Sequence, residues 1–77
     1  MAERTFVRVE IGLDGGQILS TLVTTESADA LERELNAGAA GAFALSLEAQ
    51  EGSILLVLSR VLYAKRFARE GRVGFGD

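Results

Sequence analysis

Between Arg60 and Phe75 the chain sets Arg60, Lys65, Arg66, Arg69 and Arg72 among three aromatic residues, Tyr63, Phe67 and Phe75. Cationic side chains neutralise phosphates and aromatic rings stack on bases, so this is the one constellation in the sequence whose residue types suit nucleic acid. The same side chains also suit a protein partner. In that reading Arg66, Arg69 and Arg72 orient the contact against acids such as Glu32 and Glu34 of a second molecule, and high salt weakens it. A third reading is purely structural: Tyr63 and Phe67 lie in the core and the arginines snorkel over it. The isoelectric point near 4.9 weighs against nucleic acid, because domains that bind it more often lie above about 9.

Other chemistry is poorly supplied. The chain has no histidine and no cysteine, which removes the commonest general base and the best side-chain nucleophile. It also leaves no zinc site beyond one made of carboxylates. No serine sits in a nucleophile-elbow pattern, and Glu32 and Glu34, two apart on a helix, point in different directions. Two glycine clusters invite a phosphate-binding reading. "GLDGG" lacks the Lys-Ser/Thr ending of a P-loop and joins two strands, whereas "GRVGFG" lacks the dinucleotide spacing. The expectation is a protein without enzymatic activity and without a cofactor or metal.

At 77 residues one domain is expected over 1–77, close to the size at which a single core only just outweighs chain entropy. The sequence reads as an ordered core over about 5–68 followed by a tail, 69–77. Hydrophobic residues make up 48% of the chain, a high share for so small an interior, and self-association is one way to bury the excess. No apolar run reaches a membrane span and the N-terminal stretch has no signal-peptide character, so a cytoplasmic protein without membrane contact is expected. Charge is unevenly spread. Residues 1–59 carry three basic and nine acidic groups, and residues 60–77 carry five basic and two acidic, an acidic body with a basic end.

The elements that must carry these residues follow from periodicity. "TFVRVEIG" alternates, with Val7, Val9 and Ile11 opposite Phe6, Arg8 and Glu10, and predicts a strand with one buried face. Asp14-Gly15-Gly16 is a turn, and the β-branched "QILSTLVT" returns as a hairpin. The period then changes. Ser27 is a candidate cap for a helix of nine or ten residues starting at Ala28, with Ala28, Leu31 and Leu35 on its apolar stripe and Gly38 as its stop. "AFALSLEA" alternates again, Gly52 turns the chain, and "ILLVL", residues 54–58, is apolar on both sides, which predicts a central strand covered on both faces. One short helix covers one face. The other is left to a neighbouring subunit, or the sheet curls on itself into a partial barrel. "SRVLYAKRFARE" fits a strand, with Val61, Tyr63, Lys65 and Phe67 alternating against Leu62, Ala64, Arg66 and Ala68, while Leu62, Arg66 and Arg69 also fit helical spacing; a last strand is expected from Val61 to about Phe67. In the tail, Val73 and Phe75 alternate across Gly74 as an edge strand does, which predicts a segment anchored by Phe75 that docks either on its own sheet edge or on an adjacent subunit.

The order of "VRVEIG", an acidic helix, "LSLE", "RVLYAK" and "RVGFG" resembles a family of short actinobacterial proteins described only as a domain of unknown function. Arg60 to Tyr63 and Arg72 to Gly76 are its most specific stretches. The resemblance implies a ββαβββ domain and carries no activity with it. The sequence thus predicts an α+β fold, one short helix on a mainly antiparallel sheet. The expected role is a non-catalytic module that self-associates as a homo-oligomer or binds another protein. The alternative is a small nucleic-acid-binding regulator using the basic C-terminal segment. The interaction residues expected are Arg60, Tyr63, Arg66, Arg69, Arg72, Val73 and Phe75.

Overall fold

The computed structural model describes residues 5–67. Within them five antiparallel strands and one helix follow the order ββαβββ: β1 (Phe6–Leu13), β2 (Ile18–Thr24), α1 (Thr25–Ala37), β3 (Ala44–Ala49), β4 (Gly52–Val57) and β5 (Val61–Arg66). β1 and β2 form the expected hairpin, in register from Phe6 opposite Thr24 to Gly12 opposite Ile18. Gly15 and Gly16 both hold φ at +84° in its turn, a conformation glycine adopts without steric cost.

The helix begins one turn earlier than Ser27 predicts. Thr24 is the cap, its Oγ1 accepting from the Ser27 N–H at 3.1 Å, so that α1 has 13 residues. Ser27 is left free for another task. Its Oγ takes a hydrogen bond donated by Thr24 Oγ1 and a second, at 2.9 Å, donated by the Glu48 N–H of β3. The predicted stripe holds: Ala28 and Leu31 are buried and Leu35 is half-buried. They meet Val9 and Ile11 of β1, Val23 of β2, Leu47 of β3 and Leu56 of β4 in one core.

The sheet order is β4-β3-β2-β1-β5, which overturns the central position expected of "ILLVL". β4 is an edge strand. Its alternate residues Ile54 and Leu56 face the helix, while Leu55 is 73% exposed on the other side. Its uniform apolarity therefore does not report burial on two faces. Only three residues, Leu58–Arg60, link this edge to β5 on the opposite one. Such a link reaches at most about 14 Å, less than the roughly 19 Å across a flat five-stranded sheet, so the sheet curls and brings its two edges together at that corner. The curl stops short of closure, since no β4–β5 pairing occurs among the described residues.

Thr21 Oγ1 lies against the core and is the one buried side-chain oxygen without a hydrogen-bond partner among the described residues. Replacing Thr21 by Val is expected to raise stability by about 1 kcal/mol, whereas Ser27→Ala, which removes the hydroxyl that takes the Glu48 N–H, should cost about 1 kcal/mol. Chemical denaturation of the two variants beside the parent chain measures both.

Candidate interaction surface

The expected interaction residues do not form one cluster. Arg60, at the corner before β5, pairs with Asp14 in the β1–β2 turn at 2.9 Å. Arg66, at the end of β5, pairs with Asp29 of α1 at 2.6 Å. Both meet acids of their own chain, and both pairs are exposed. Glu34, expected to face outward toward an arginine of a second molecule, accepts from the Ala42 N–H at 2.8 Å and steadies the connection after the helix. Arg69, Arg72, Val73 and Phe75 lie outside the described residues, as does the expected docking tail.

Tyr63 sits on the sheet face opposite α1. Its hydroxyl donates to Glu10 Oε2 at 3.0 Å, and its ring lies over Gly12, the residue opposite it in the β1–β5 ladder. Any Cβ at position 12 would fall inside contact distance of that ring, so the close approach requires glycine there. The hydrogen bond to Glu10, then burial, then the Glu10 charge raise the Tyr63 phenol above its ordinary pKa of 10.0. Each favours the neutral form.

Four residues after Tyr63, just past the end of β5, Phe67 donates its backbone N–H to the Arg8 carbonyl. Two cations lie over its ring, Lys65 Nζ 4.7 Å and Arg8 Cζ 5.4 Å from the centroid, distances at which a cation is attracted to the ring face. Tyr63, Lys65, Phe67, Arg8 and Glu10 thus form a mixed aromatic and charged strip along β1 and β5. The core placement considered for Tyr63 and Phe67 does not occur: Tyr63 is exposed and Phe67 half-buried.

The same outward face carries an apolar set. Ile18 and Leu22 on β2 are 60% and 38% exposed, and Leu55 and Val57 on β4 are 73% and 36% exposed. Sequence reasoning did not single out Ile18 and Leu22, although β2 alternation puts both on the side away from Val23. The partnership of Arg8 and Glu10 with β5 depends on pairing the first strand with the last, which no local pattern announces.

Among the described residues, no group of three His, Cys, Asp or Glu side chains could hold a metal ion, and no helix is long and apolar enough to cross a membrane. No protein-family model, curated protein or solved structure matches this chain.

Tyr63 is the chain's only tyrosine and there is no tryptophan, so tyrosinate ultraviolet absorbance reports this site alone. Glu10→Ala and Gly12→Ala should each return the phenol toward 10.0, the first by removing the acceptor and the second by displacing the ring. In the parent chain the raised folded value implies stability that is full below the unfolded pKa and is lost as pH rises through the folded one. An unmoved titration in Glu10→Ala would refute the assignment.

Proposed function

We propose that this chain is a non-catalytic binding module that associates with copies of itself, or with another protein, through the sheet face turned away from α1. The observation that carries the reading is the exposure of Ile18, Leu22, Leu55 and Val57 on that face. Isolated exposed apolar residues are ordinary; here they fall in two pairs on one open sheet face, Ile18 with Leu22 on β2 and Leu55 with Val57 on β4, and each pair offers apolar surface to a partner. The small core is a second support, because a partner supplies burial that so short a chain lacks. Arg60 and Arg66 already hold acids within the chain, so the apolar contact leads and salt has little effect on it. A cytoplasmic setting accords with the absence of cysteine.

A second reading is favoured by one observation. Phe67 beside Arg8 and Lys65, with Tyr63 on the adjoining strand, presents rings and cations together on an open sheet, the combination that stacks single-stranded bases. Retention on immobilised RNA at low salt, lost on Phe67→Ala, would favour it over the protein-binding reading.

Light scattering across a concentration series tests the main proposal. The parent is expected to exceed the 8.2 kDa of one chain as concentration rises, at low and high salt alike, and Leu55→Glu should return it toward the single-chain mass. One chain at every concentration would refute self-association, and failure of the parent and Leu55→Glu to differ in binding any protein would refute the surface.

A further inference from the structure

The ladders fix which backbone groups of β4 point away from the sheet. Leu58 donates its N–H to the Phe43 carbonyl, and the β3–β4 register continues from Ala44 opposite Val57 to Ala49 opposite Gly52. Antiparallel pairs alternate between hydrogen-bonded and non-bonded, so Leu56 and Ile54 turn their N–H and C=O groups toward β3, as Leu58 does its N–H. Ser53, Leu55 and Val57 turn theirs outward. From Gly52 to Ser59 the strand has no charge and no proline, the usual devices that keep an edge from pairing. The other outer edge differs: β5 carries Lys65 and Arg66 and is flanked by Arg60.

Resting on the self-association proposed above, we infer that the β4 edge receives the β4 edge of a second copy, antiparallel about a two-fold axis at Leu55. With Leu55 opposite its own equivalent, Ser53 falls opposite Val57 of the other copy, and every outward group of the three residues gains a partner, about six hydrogen bonds in all. A shift of register leaves some of them unmade. Side-chain direction matches as well. Leu55 and Val57 lie on the outward face in both copies, so the joint sheet has one continuous outward face and extends the apolar set already there. Pairing β4 with β5 of a copy does not match. It would set Leu55 against Ala64 or Arg66, which share a sheet face with Ile11 and Val9, and join the outside of one copy to the helix-covered side of the next. A two-fold contact also closes on itself and stops at the dimer. Such a strand edge covers less than the about 1,200 Å² at the low end of stable interfaces, so monomer and dimer exchange with concentration.

The chain has no cysteine, and single thiols therefore read the register directly. Leu55→Cys should be trapped as a covalent dimer by mild oxidation or a short bis-maleimide. Val57→Cys, about 13 Å from its equivalent in this register, and Ala64→Cys on the other edge should react at least about tenfold more slowly, being beyond disulfide reach. A mixture of Ser53→Cys and Val57→Cys should give the mixed dimer. Leu55→Lys, at an exposed position, should keep the fold by circular dichroism and reduce the solution mass to one chain. Trapping of Leu55→Cys no faster than Ala64→Cys would overturn this inference. If the parent mass still rose with concentration, association through another part of the surface would stand. If it did not, self-association would fall with it.

Discussion

Where β2 ends, the fold depends on a short relay of two hydroxyl groups. The register that sets Val23 opposite Ala49, with the Gln50 N–H donated to the Leu22 carbonyl, would next bring the Glu48 N–H to the carbonyl of Thr24. That bond is replaced. Thr24 caps the helix, Ser27 takes the Glu48 N–H, and the chain leaves the sheet to become α1 at the point where β3 needs a partner. Losing this part-buried hydrogen bond would cost about 1 kcal/mol, a noticeable fraction of the stability available to a domain of this size. The helix start and the attachment of the second hairpin are consequently one event.

The remaining architecture follows from that junction. β3 and β4 extend past the end of β2 and are held mainly by packing, with Leu47 and Leu56 against Leu31. β5 returns to the far side of β1, and the three-residue corner between β4 and β5 forces the curl. The helix fills the inner side. The outer side keeps Ile18, Leu22, Leu55 and Val57 together with the Tyr63 strip, and it is there that the proposed contact is made.

Much of this is legible in the sequence, for identifiable reasons. Alternation in residues 5–12 and 42–49 marks strands because one face of each is buried and the other is not, and the Asp14-Gly15-Gly16 turn is local chemistry. The helix start is ambiguous because Thr24 and Ser27 are both competent caps one turn apart, and the choice is made by Glu48, 21 residues away. "ILLVL" misleads for a related reason. Apolarity on both sides of a strand suits a central, doubly covered position, but β4 lies at the sheet edge with Leu55 exposed, and the placement is set by pairing with β3 alone. The contacts of Tyr63 with Glu10, Arg66 with Asp29 and Arg60 with Asp14 join residues 53, 37 and 46 apart. They become visible only once β1 and β5 are known to be neighbours.

The slender seam between β2 and β3 divides the molecule energetically. β1 is laddered to β2 from Phe6 to Gly12 and to β5 from Val9 to Leu13, with a bulge after Gly12, so the amides at its centre are exposed only when the sheet comes apart. The β3–β4 hairpin is joined to β2 at a single ladder position and follows a connection of glycine and alanine, residues 37–42. It can lift away at a smaller free energy than global unfolding requires. The chain therefore behaves as two cooperative units of unequal protection, and the less protected one carries the edge on which a second copy is proposed to add.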